Sequence, residues 1–191
     1  LPQSEVVAND WGVLFFVKEN YPSLQLSVGR LLNKGFKDPR LPDATGVSGF
    51  SAEAAELLDC STFEFSGFQQ KLLELEVRRF ERDVMPYGDF AMDGSEGMKA
   101  SIYFPFGYIT TGRICWIASF SQTAARKYRM SDGCRRRCNR MSFRLAHSRL
   151  SQRIYQGGNT VFYLYPAKKL DRLVSAAEQK KIRLIYQGFV I

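Results

Sequence analysis

The amino-acid sequence predicts an α/β fold, a (β/α) barrel-like domain with a parallel sheet, incomplete at about six strand–helix units. Short β-type runs alternate with amphipathic helical runs along the chain. The runs read as strands are apolar, as strands covered by helices must be. The competing open doubly wound sheet lacks its nucleotide-binding fingerprint: Gly46-Val47-Ser48-Gly49 follows no predicted strand, and there is no Walker lysine. Length adds a third constraint. A closed barrel takes roughly 250 residues and eight units, whereas this chain has 191, enough for one domain.

Taken in order, Glu5–Ala8 reads as a strand that stops at Asn9-Asp10, and Trp11–Glu19 as the helix after it. Leu24–Gly29 is a second strand, with Pro22 before it and Arg30 at its end. In Ser51–Asp59, Ser51 suits an N-cap, and Glu53 and Glu56 suit the positive end of a helix. Thr62–Phe65 is predicted as a third strand. The strongest predicted helix is Phe68–Val84, where Leu72, Leu73, Leu75, Val77, Phe80 and Val84 make a broad apolar stripe. Ala100–Phe104 and Thr160–Leu164 are predicted as strands four and five, Lys168–Lys180 as a helix and Arg183–Tyr186 as strand six. The first strand would leave a bare parallel edge, an aggregation hazard. The chain is therefore expected to be a portion of a longer protein or to meet a homologous partner subunit.

No run of about 18 apolar residues occurs, so no membrane insertion is predicted. The stretch Leu1-Pro2-Gln3-Ser4-Glu5 does not read as a signal peptide, and a cytoplasmic location is expected. The net charge of +8 is unevenly spread. Between Arg113 and Arg153 stand eleven Lys/Arg and one acidic residue, Asp132, so the rest of the chain, with 16 basic and 18 acidic residues, is slightly negative. This basic segment, residues 113–153, is expected as an insertion before the fifth strand. It reads as a site or a nucleic-acid footprint, with Arg135, Arg136, Arg137 and Arg140 as its basic surface. A solvated charged face is the plainer alternative.

The same segment holds Cys115, Cys134 and Cys138, with Cys60 far upstream. If Cys134–Cys138 is helical, its C-x3-C spacing puts two sulfurs one turn apart on one face. Three readings stay open. An iron–sulfur cluster takes four thiolates, and neighbouring arginines would offset its negative charge. Zinc would take Cys115, Cys134, Cys138 and His147, at spacings that match no common finger. In the third, the cysteines are incidental. Met141 stands where a radical-SAM motif needs its third cysteine, and His147, the only histidine, leaves no partner for conventional hydrolase machinery.

Several runs resemble the collagenase-like peptidase family, peptidase family U-thirty-two. They are Asn9-Asp10-Trp11-Gly12-Val13-Leu14, Gly29-Arg30-Leu31-Leu32-Asn33-Lys34 and Asp38-Pro39-Arg40, then Phe63-Glu64-Phe65-Ser66-Gly67 and Tyr108–Cys115. The resemblance implies a barrel-like fold and a [4Fe-4S] site whose ligands, in the family's order, would be Cys60, Cys115, Cys134 and Cys138. It also implies oxygen-independent hydroxylation of ubiquinone precursors or RNA bases, beside the family's inherited peptidase label. On a (β/α) scaffold, functional side chains gather at the strands' C-terminal ends. That singles out Asn9, Asp10, Arg30, Asn33, Glu64 and Ser66 as substrate-binding candidates. Their structural alternatives are helix caps at Asn9 and Asp10 and an Arg30–Glu64 bridge. An RNA-binding module is the competing function, with Phe120, Tyr128, Phe143 and Tyr155 stacking on bases.

Overall fold

The computed structural model describes residues 4–39, 51–86, 97–127, 129, 134–148 and 150–188. Five strands form one parallel sheet: β1 (Glu5–Ala8), β2 (Gln25–Val28), β3 (Arg79–Arg82), β4 (Lys99–Phe104) and β9 (Arg183–Tyr186), in the order β1-β2-β3-β4-β9. Helices fill the crossovers: α1 (Trp11–Asn20), α2 (Ala52–Asp59), α3 (Ser66–Glu74) and α5 (Ala167–Lys180). Between β4 and α5 the chain leaves this sheet and builds a second, antiparallel one. It comprises β5 (Phe106–Thr111), β6 (Phe143–Leu145), β7 (Ile154–Gly157) and β8 (Thr160–Leu164), in the order β5-β8-β7-β6, with a short helix α4 (Trp116–Ser119).

Register sorts the parallel strands into two faces. Val28, Phe80 and Ala100 are in line across three strands and meet the core made with Leu14, Val17 and Leu72. Opposite them, Glu81, Ser101 and Arg183 are in line on the other face. There Glu5 on edge strand β1 pairs with Arg79 at 3.3 Å and with Arg183 on edge strand β9 at 2.7 Å. Five flat strands would hold their edges roughly 19 Å apart at the usual spacing, beyond the reach of one ion pair. The sheet is therefore curled into a half-barrel around a charged concave face. A second core joins the two sheets, with Ile102 and Leu173 of the half-barrel against Ile154, Tyr163 and Tyr165 of the excursion.

Three predicted elements differ. Thr62–Glu64 is a 3-10 turn, with Glu64 accepting from the Ser61 amide at 2.6 Å as a capping box. The predicted helix Phe68–Val84 is cut after Glu74 and its second half is β3. Glu76, at φ 64°, closes α3 in a Schellman turn, with Glu76 N to Leu73 O and Val77 N to Leu72 O both at 2.9 Å. Lys18 of α1 steadies that turn by donating to Leu75 O at 3.2 Å and to Glu76 at 2.7 Å. No glycine marks the stop, so the apolar periodicity runs on past it. Finally, the predicted fifth strand is β8, antiparallel to β5 and β7 and outside the parallel sheet. The insertion accordingly spans β5 to β8, wider than the basic segment.

Candidate functional site

The antiparallel excursion encloses a cavity of about 680 Å³. Cys115, Cys134 and Cys138 all line it, together with Arg126, Arg129, Arg135, Arg136 and Arg137. Three segments separated in sequence meet there. Cys115 lies where the chain leaves β5, and its carbonyl accepts from Ser119 N at 3.0 Å to start α4. Buried Ile117 anchors that turn. Arg137 Nη1 donates to Ser121 Oγ at 2.5 Å and so ties the second cysteine segment to the end of the first.

The C-x3-C pair is not helical. Arg136 adopts a left-handed conformation, φ 49°, and only then does a 3-10 turn run over Arg137–Asn139. This break points the Arg136 amide at Cys134 Sγ, 3.4 Å away. An N–H aimed at sulfur is an outer-shell contact of the kind that orients metal-binding cysteines. Cys138 sits against the β7–β8 turn, where Gly158 has φ 65° and a Cβ would lie 3.7 Å from the sulfur. The three thiols thus share a cavity without converging on one point. Among the described residues no three His, Cys, Asp or Glu side chains are gathered closely enough to hold a metal ion as they stand.

Cys60 is placed elsewhere. It caps the C-terminus of α2 in the half-barrel, next to the Gly35–Ser61 bridge, and does not line the cavity. His147 is exposed beyond β6 and is also off the cavity. Arg140 is exposed after the 3-10 turn, outside the wall formed by its neighbours. Gly133 and Asp132, and the Gly46–Gly49 run, lie outside the described residues.

Five of the six candidates at the strands' C-terminal ends are engaged with their own chain. Asp10 is the N-cap of α1, accepting from Val13 N at 3.1 Å. Asn9 Oδ1 accepts from Leu31 N at 3.1 Å and lies where a Gly29 Cβ would stand, 2.2 Å away, so only glycine fits beside it. Asn33 is buried and accepts from Thr62 Oγ1 at 3.3 Å, while Ser66 is exposed as the first residue of α3. Glu64 pairs with Arg82, not with Arg30. Arg30 does hold a carboxylate bidentately, that of buried Asp83, with Nε to Oδ2 at 3.3 Å and Nη2 on Oδ1.

Asp83 is the hub that sequence reasoning missed, because it fell inside the predicted long helix. Besides Arg30 it receives Lys37 Nζ at 3.1 Å and the Tyr108 amide at 3.1 Å, while Arg30 reaches Gln187 at 2.5 Å and Phe106 O at 3.3 Å. The hub therefore fastens the start of the excursion to the half-barrel. Nearby, burial pushes the Glu81 carboxyl up from its ordinary range, although the Tyr103 hydroxyl donates to it at 2.7 Å. Burial and that same carboxylate push the Tyr103 phenol up. Of the aromatics expected to stack on bases, Tyr155 is buried against Phe106 with ring centroids 5.7 Å apart, Phe143 is half-buried, and Tyr128 lies outside the described residues. Phe120 is exposed, and so is Trp116, which the sequence reading overlooked.

Comparison of the chain with protein-family models, with curated proteins and with solved structures finds no match.

Proposed function

We propose that the chain is an iron–sulfur redox protein of the collagenase-like peptidase type, an oxygen-independent hydroxylase or a subunit of one, with its cluster held by Cys115, Cys134 and Cys138. The observation that carries this reading is the meeting of all three thiols on one arginine-walled cavity. The donor set fits a cluster. Thiolates are the ligands such clusters take, the amide on Cys134 is of the kind that tunes them, and guanidiniums offset their negative charge. Zinc fits less well, since a closed structural site needs four ligands around one point and His147 stands off the cavity. When bound, a cluster on these three thiols would supply electron transfer, with Cys60 outside the ligand set. The chain's own residues would orient the ligands, through the Arg137–Ser121 bond and the Arg136 amide on Cys134 Sγ.

A peptidase reading lacks support in the geometry, because the only histidine does not face the cysteines' cavity. A homologous partner subunit would meet the half-barrel at its β1 edge, where Val7, Phe15 and Phe16 are exposed. The cytoplasm is the compartment that would keep four free cysteines reduced. Anaerobic purification with iron and acid-labile sulfide analysis tests the proposal. About four of each per chain are expected, lost on Cys134→Ala or Cys138→Ala and retained on Cys60→Ser. A colourless protein that carries zinc would overturn it.

A further inference from the structure

The segments that carry Cys115 and Cys138 both meet a turn that itself holds no cysteine. Gly158 and Asn159 are the two residues between paired Gly157 and Thr160, with Gly158 at φ 65°, where a hairpin turn of this length takes glycine. On one side, Asn159 closes a ring with Gly112, the first residue after β5. Gly112 N donates to Asn159 O, and Asn159 Nδ2 donates to Gly112 O, both at 2.9 Å. The backbone half of this ring continues the β5–β8 ladder, and any residue at position 159 would accept it. The other half needs a side-chain donor of this reach. Only Arg113 and Ile114 separate Gly112 from Cys115, and the chain bends tightly there. A Cβ on Gly112 would lie 3.7 Å from Ile114 O and 3.8 Å from Ile114 N. Anchoring Gly112 therefore fixes where Cys115 enters α4.

On the other side, Cys138 packs against Gly158, its Sγ 3.7 Å and its Cβ 3.8 Å from where a Gly158 Cβ would stand. Gln156 of β7 holds that glycine by donating from Nε2 to Gly158 O at 3.1 Å. Gln156 is 2% exposed, and its Oε1 meets no donor among the described residues. A buried amide oxygen without a donor is destabilising, and an apolar side chain in its place would avoid that loss. The grip on Gly158 is what an apolar side chain could not supply.

We propose that Asn159 and Gln156 are positioning residues of the thiol site. Asn159 sets Cys115 through Gly112, Gln156 sets Cys138 through Gly158, and together they fix the distance between the two sulfurs. The Arg137–Ser121 bond joins the same two segments beyond the end of α4, and the turn joins them ahead of its start. The identity of the metal rests on the iron–sulfur reading; the placing of the sulfurs stands without it.

Titration of the metal-free full chain with Cd²⁺, a thiophilic ion followed by its thiolate absorption, tests the proposal. Iron content and the reduction potential of the iron-loaded chain are read on the same variants. Asn159→Ala and the isosteric Asn159→Asp, which lacks the donor, should each weaken Cd²⁺ about tenfold, as loss of an outer-shell partner does. They should also shift the potential of a bound cluster. Gln156→Leu should weaken Cd²⁺ without lowering the melting temperature, a split that general loosening of the fold would not produce. Thr111→Val removes the Thr111–Thr160 hydroxyl contact, 3.1 Å long in the same ladder, and should leave the affinity unchanged. Unchanged Cd²⁺ affinity in both Asn159 variants, or an equal loss on Thr111→Val, overturns the proposal, as does a parent chain that binds no Cd²⁺. An iron-loaded chain whose iron content and potential are indifferent to Asn159 sinks this inference and leaves the cluster standing. Cd²⁺ binding that depends on Asn159, in a chain that takes up no iron, does the reverse.

Discussion

The half-barrel and the antiparallel excursion treat charge in opposite ways. In the half-barrel, Glu5 takes both Arg79 and Arg183, Asp83 takes both Arg30 and Lys37, and Glu64 takes Arg82. Its charges are spent on holding the curl and on fastening the excursion in place. In the excursion, five arginines and three thiols face a cavity that no carboxylate lines among the described residues. The difference teaches where to look for function. Polar residues at the strand ends mostly bond within their own chain, whereas the cavity's cysteines and arginines gather where the chain has left the parallel sheet.

Breaking the hub should have the largest effect. Asp83→Ala leaves Arg30 and Lys37 buried without their carboxylate and is expected to cost about 3–5 kcal/mol in urea unfolding. A loss below about 1 kcal/mol would mean that the half-barrel's charges are not holding it together. On the excursion side the comparison predicts the opposite. Arg135→Ala and Arg136→Ala, both at exposed positions, should shift the melting temperature by less than about 2 °C while impairing the cavity.

Gly158→Ala sharpens the same contrast. A side chain at φ 65° is strained by about 1 kcal/mol, although the space toward Cys138 is adequate. Hydrogen exchange in the β7–β8 turn should speed up, whereas exchange in β1 to β3 should not change.

Glu81 gives a pH test. Its folded-state affinity for a proton is raised by burial, so the contribution to stability is full below the ordinary carboxylate range and is lost as pH rises through the raised value. Glu81→Gln removes that loss. It should raise the melting temperature at neutral pH and flatten the fall in stability as pH rises through the carboxylate range. The smallest effect belongs to Lys181, which ends α5 at φ 53°. Lys181→Gly should stabilise by up to about 1 kcal/mol, since glycine adopts that conformation without strain.

Much of the half-barrel was legible. The strands at Glu5–Ala8, Gln25–Val28, Lys99–Phe104 and Arg183–Tyr186 follow from apolar runs bounded by turn residues, and the helices at Trp11, Ala52 and Ala167 follow from their caps and periodicity. The segment Arg79–Arg82 was not legible, because a Schellman turn made by glutamate leaves no glycine to mark the end of a helix. Nor was the split into two sheets, since β8 has the apolar composition of a parallel strand and only its partners distinguish it.

By itself the sequence determined the α/β class of fold and confined the excess basic charge and three of four cysteines to one segment. Composition and spacing are local properties, and they survive without coordinates. Only the tertiary structure decided which cysteines share a cavity. Cys60 is held in the half-barrel by the end of α2, while Cys115 is brought to Cys134 and Cys138 by the packing of α4 on their turn. Contacts between residues so distant in sequence depend on sheet order and on the Asp83 hub, and no local pattern encodes those.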